Sequence, residues 1–260
     1  MKYEDETDVL EDICLYENKD ICLVTQSKIE EEILNSLRQY KKFYINNSGH
    51  ECLPPDFISI NGSFMFDVMR INDSEKKKSN NPVMRREREI QREIQEAFKD
   101  TNIPKRALTN GLIINAKPDE DYDQAHNYTQ YLKQFERVVR QHINKIDGCR
   151  KRHPGQKMGF LILDETDLYI ELVHEEDAKK PWDVGDRVMV QQLHIPFLDY
   201  NFMKEFDGKD VDFLIWVLPY KVHSGGPYEL PLLSIIEVPR FFLEKSSLIK
   251  NFKVNCLRCR

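Results

Sequence analysis

The chain contains only six cysteines in 260 residues. That number does not make a disulfide scaffold, and no apolar segment opens the sequence. The expectation is therefore a reducing, cytoplasmic compartment. In that compartment the Asn-x-Ser/Thr triplets at Asn46, Asn61, Asn72 and Asn127 carry no glycosylation meaning. No stretch approaches the ~20 apolar residues of a spanning helix, so no membrane is expected among the partners. An excess of positive charge is also missing. Lysine and arginine number 38 against 44 acidic residues, a net charge of -6, so nothing suggests generic polyanion binding. Glycine-rich phosphate loops, dinucleotide fingerprints and His-Glu-x-x-His are absent, and the serines lack a nucleophile-elbow context. No internal repeat or long low-complexity tract is evident.

What is present is an ordinary globular balance, 40% hydrophobic and 32% charged, in a chain long enough for a substantial core. The charge is uneven. Residues 1–20 hold eight acidic side chains against Lys2 and Lys19, an acidic lead-in suited to a basic protein partner or to covering the chain's own basic helix. Residues 21–180 read as an α/β core. Residues 181–260 read as a β-rich continuation of the sheet or a small appended unit.

The most informative stretch runs from Pro54 to Ile71. Asn61-Gly62 between two apolar runs predicts a hairpin. Its second strand alternates, with Phe64, Phe66, Val68 and Arg70 on one side and Met65, Asp67, Met69 and Ile71 on the other. A carboxylate among methionines is costly unless it is paired or binds a cation. Asp56 lies near the other end of the hairpin. If the two meet, they are suited to a divalent metal. The plainer reading puts Asp67 at an exposed edge and Asp56 in a turn.

Before the hairpin, Ser27 and Glu30 have the spacing of a capping box, and Ile29, Ile33, Leu37 and Tyr40 form a helical stripe. Glu30, Glu31 and Glu32 suit the positive end of that helix. After the hairpin, a helix is predicted over residues 82–99. Its Arg85, Arg86, Arg88 and Arg92 are either phosphate contacts or a solvated face. Residues 111–116 predict a strand ending at Lys117. Residues 119–146 predict a long helix, with Gly148 placed to end it. Strands follow at 158–163, 168–173, 213–218 and 232–238. Asp164, Glu165 and Asp167 form a second metal cluster or a polar turn, the turn being the simpler reading. His194 reads as a packed or surface histidine and His223 as part of a turn. Cys256-x-x-Cys259 is half of a zinc motif without a second half.

The order from residue 27 to 173, together with Pro55-Asp56 and Asp67-Val68-Met69, resembles the PD-(D/E)xK, or restriction-endonuclease-like, nuclease superfamily. The resemblance implies a mixed central β-sheet flanked by helices, of α/β or α+β class, and Mg²⁺-dependent cleavage of DNA or RNA. It implies Asp56 and Asp67 as catalytic metal ligands, with Glu30 or Glu31 joining them. Met69 stands where the superfamily places lysine, and it supplies neither charge nor proton. Either the lysine's role has moved, with Lys117 as the water-positioning substitute, or hydrolysis is lost. In the second case the chain is a non-catalytic protein- or nucleic-acid-binding protein that retains the fold.

Overall fold

The computed structural model describes residues 6–39, 41, 43–45, 55–72, 128–166, 189–190, 193–219, 228–244, 248 and 258–259. Strand β4 (Phe64–Ile71) lies inside the sheet and is buried along almost its whole length. Its alternation sorts two cores. Phe64, Phe66 and Val68 enter one, and Met65, Met69 and Ile71 enter the other. Both faces are covered, so the strand reads as a nearly continuous apolar run.

Around it lie β1 (Ile21–Leu23), β2 (Phe43–Ile45), β3 (Phe57–Ser59), β5 (Lys157–Asp164), β8 (Phe213–Val217) and β10 (Leu233–Glu237). They form a seven-stranded sheet in the order β1-β10-β8-β5-β4-β3-β2. The run β4-β5-β8 is parallel, whereas β2-β3-β4 and β8-β10 are antiparallel, and β1 joins β10 in parallel. The sheet is mixed, as expected. The segment beyond residue 180 supplies β8 and β10 to this same sheet. Short two-stranded pairs join β6 (Met189–Val190) to β7 (Leu193–His194) and β9 (Tyr228–Glu229) to β11 (Arg258–Cys259).

One face carries α1 (Glu6–Ile13) and α2 (Lys28–Leu37). The acidic lead-in is thus partly a core helix. Val9, Leu10 and Ile13 pack with Ile33, Leu37, Phe66 and Val68. The other face carries α3 (Tyr128–Ile143), whose Tyr131, Phe135 and Val139 meet Met65, Met69, Phe160, Ile162 and Trp216. The long helix expected to run through Ile146 instead stops at Ile143 and restarts as α4 (Ile146–Arg152). Gly148 lies inside α4 rather than ending a helix. Ile146 and Cys149 are both buried, and that anchorage carries the short helix past the glycine. A four-residue helix, α5 (Tyr200–Met203), adds Phe202 and Met203 to the core beneath α3.

The predicted hairpin joins β3 to β4, with Phe57 opposite Phe66 and Ile58 opposite Met65. Its loop is longer than a two-residue turn. Gly62 N–H donates to Ser59 O at 2.8 Å, and Gly62 takes φ +67°, where a side chain is strained. Ser59 Oγ accepts from Ser63 N at 3.1 Å and Phe64 N at 2.9 Å, which closes the loop.

Glycine is required at one point in the sheet. Gly159 of β5 faces Phe213 of β8 in register, and a Cβ there would stand 2.3 Å from the Phe213 ring. Phe213 is fully buried against Phe64, with ring centroids 5.9 Å apart. The ring has nowhere cheap to go. Gly159→Ala is expected to destabilise the fold by about 1–3 kcal/mol through overpacking, read as a lowered urea midpoint.

Candidate carboxylate site

The β3–β4 pairing begins with Phe57 opposite Phe66, so Asp56, just before β3, comes beside Asp67, just after Phe66. Pro55, next before Asp56, brings no N–H to a ladder. Val68 N–H is met by a side chain instead of a backbone carbonyl: Asp56 Oδ2 accepts from it at 2.6 Å. Asp67 is only 3% exposed and lies in an inner strand, not at a sheet edge. The Asp56 carboxyl, held at Val68 N, is one of the hydrogen-bonding groups acting on Asp67. Two carboxylates in contact cannot both be ionised unless a proton or a cation lies between them.

Asp67 has a further partner. His142, in the last turn of α3, places Nδ1 2.5 Å from Asp67 Oδ2. Burial pushes the Asp67 carboxyl up. The hydrogen bonds with His142 and Asp56, and the charges of His142 and Lys145, outweigh burial and hold it below the usual range. Lys145 is exposed at the α3–α4 junction. Cys149 lies close by, and burial together with the nearby Asp67 pushes its thiol up despite Arg152 and Lys145. A thiol held protonated in this way is a poor nucleophile.

The other acidic candidates lie elsewhere. Glu30 is fully buried at the start of α2. It accepts from Thr25 N at 2.9 Å, Thr25 Oγ1 at 2.6 Å, Ser27 N at 3.3 Å and Glu237 N at 3.1 Å. Burial pushes its carboxyl up, against these hydrogen bonds. Glu237 belongs to β10, three strand steps from β4, a lateral separation of about 14 Å at ~4.8 Å per step. Helix α2 also packs on the face opposite Asp67. Glu30 therefore ties α2 to the sheet and does not join the Asp56–Asp67 pair. Glu31, on the same helix, is exposed. Met69 is fully buried beneath α3, consistent with its apolar character.

Asp164 is the buried last residue of β5, and Glu165 follows it out of the strand. Asp164 accepts from the Tyr131 hydroxyl, from Trp216 Nε1 at 3.1 Å and from Thr166 N and Oγ1 at 3.2 and 2.6 Å. Glu165 pairs with Arg70 at 2.7 Å. His194 is a packed histidine, 2.8 Å from the buried Asp199, which also accepts from the Tyr128 hydroxyl at 2.9 Å. Lys117, Arg85, Arg86, Arg88, Arg92, Asp167 and His223 lie outside the described residues. Among the described residues, no group of three or more His, Cys, Asp or Glu side chains is arranged to hold a metal ion. No described helix is long and apolar enough to cross a membrane.

His142 is the site residue that sequence reasoning missed. The helical stripe through Phe135 and Val139 does carry its signal, because a step of seven from Phe135 lands on His142. Nothing in the local sequence linked that position to Asp67, 75 residues earlier.

Comparison with known proteins finds no matching family model, no matching curated protein and no matching solved structure.

Proposed function

We propose that the chain is a divalent-metal-dependent nucleic-acid phosphodiesterase on a restriction-endonuclease-like core, with Asp56 and Asp67 as metal ligands. The observation that carries this reading is the closeness of two carboxyls: Asp56, at the entry to β3, holds Val68 N–H right beside the buried Asp67 of β4. Their oxygen-only donor set suits Mg²⁺ or Mn²⁺, with water completing the shell. When bound, such an ion polarises a phosphate and lowers the pKa of its water. Lys145 offers a cation beside the pair from a different element than Met69 does, which makes it a substitute for the displaced lysine within the described residues. Lys117 as a water-positioning residue, and Arg85, Arg86, Arg88 and Arg92 as backbone-phosphate contacts, belong to the same proposal. Glu30 and Glu31 do not.

The test is a cleavage assay of the purified protein with Mg²⁺ or Mn²⁺ on single- and double-stranded DNA and RNA. The expected result is cleavage that a chelator stops and Asp67→Asn removes. No cleavage of any substrate, or full activity in Asp67→Asn, would overturn the reading.

A second reading is favoured by Met69, which is sealed in the core, and by His142, which already occupies Asp67 Oδ2. On that reading the chain binds nucleic acid or a protein without cutting. It predicts retention of nucleic acid on a filter, or capture of a protein partner, with no product.

A further inference from the structure

We infer that His142 is a positioning residue for the Asp56–Asp67 pair, an inference that rests on reading that pair as a metal site. Its place is set by three elements. Asp67 of β4 is in register with Phe160 of β5, and α3 crosses both strands on that face. The His142 ring stands edge-on to Phe160, with centroids 6.4 Å apart and planes at 85°. Packed in that way, the ring reaches Asp67 Oδ2 with Nδ1 at 2.5 Å while its side chain stays 19% exposed.

An ionised carboxylate only accepts hydrogen bonds, so with Asp67 ionised Nδ1 is the donor of this contact. Each carboxylate of the pair then has one oxygen held by a fixed N–H donor: Asp56 Oδ2 by the Val68 backbone and Asp67 Oδ2 by His142. Two anchored oxygens set the planes of both carboxylates before any cation arrives. The remaining oxygens of Asp56 and Asp67 would be the ones to hold a cation. The backbone anchor is common to any side chain at position 68, whereas the His142 anchor depends on one side chain and is open to test. Partners of this kind typically change metal affinity by about 10–100-fold when removed.

The experiment uses the full chain and Mn²⁺ alone, with free Mn²⁺ followed by electron paramagnetic resonance. His142→Leu fills the ring's volume without a donor. His142→Asn keeps an N–H near the Nδ1 position. The expected result is Mn²⁺ affinity weakened about 10–100-fold in His142→Leu and largely recovered in His142→Asn. Ring nitrogen NMR of the metal-free wild type is expected to show the proton on Nδ1, and Asp67→Asn is expected to change that signature. Equal Mn²⁺ affinity in wild type and His142→Leu, or a wild-type ring protonated only on Nε2, overturns the inference and leaves the metal reading standing. Failure of the wild type to bind Mn²⁺ overturns the metal reading itself, and the inference with it.

Discussion

Asp56→Asn is expected to abolish metal-dependent cleavage while making the protein more stable. The activity loss should reach about 10³-fold, because a metal supplies several kcal/mol of transition-state stabilisation and each 1.36 kcal/mol is tenfold in rate. The gain in stability follows from the closeness of the two carboxyls. Asp56 lies beside Asp67, and holding two carboxyls together without a cation requires a proton that a free carboxyl has lost at neutral pH, which costs stability. An asparagine at position 56 keeps an acceptor for Val68 N–H, now served at 2.6 Å by Asp56 Oδ2. Its amide N–H₂ offers Asp67 a donor without a shared proton. The net effect should be about 1 kcal/mol, or a rise of roughly 2–4 °C in thermal midpoint for a chain of this size. Cleavage assays and thermal melts on the same preparation check both halves. A lowered midpoint would show that the pair is structural, since a carboxylate kept for function is expected to cost stability.

The opposite behaviour is expected of Asp164. Asp164→Ala should destabilise the fold by about 3–5 kcal/mol, because it leaves several buried donors unmet at once. This carboxylate is fully buried and serves four donors, from Tyr131, Trp216 and twice from Thr166. The alanine strips the acceptor from all of them, and each buried donor left unmet costs about 1–3 kcal/mol. The loss is local to an important joint. Tyr131 belongs to α3 and Trp216 to β8, and Trp216 stacks on Phe135 of α3 at 5.4 Å between centroids. Asp164 thereby clamps α3 to the sheet, and the last turn of the same helix carries His142 to Asp67. Urea unfolding should show a lower midpoint for Asp164→Ala. Ordinary stability in this variant would mean that the four donors find water or other acceptors without cost. The two substitutions separate a carboxylate held for its charge from one held for its hydrogen bonds.

Much of the fold was legible because its signals are local. Ser27 and Glu30 close the capping box that their spacing announces, and the side chain of Ser27 accepts from Glu30 N. The alternation from Phe64 to Ile71 sorts its side chains between two cores as read. The apolar runs at 213–217 and 233–237 are buried strands. Local signals misled where burial decided the outcome. Gly148 reads as a terminator, yet α4 continues through it because Ile146 and Cys149 are anchored in the core. The family resemblance, not the local sequence, set Glu30 beside the hairpin carboxylates, yet α2 packs on the opposite face, and Glu30 caps its own helix as its spacing announces and bonds to β10.

The residues by themselves determined the strands, the helix start at Ser27 and the fact that Asp67 would share a face with methionines, since all of these follow from spacing along one segment. Tertiary structure alone decided which charged groups meet. Asp56 comes beside Asp67 because of a pairing register, and His142 reaches Asp67 because α3 crosses β4 and β5. Register and helix crossing are set by how two apolar faces pack, a property of the assembled core that no single stretch of chain contains.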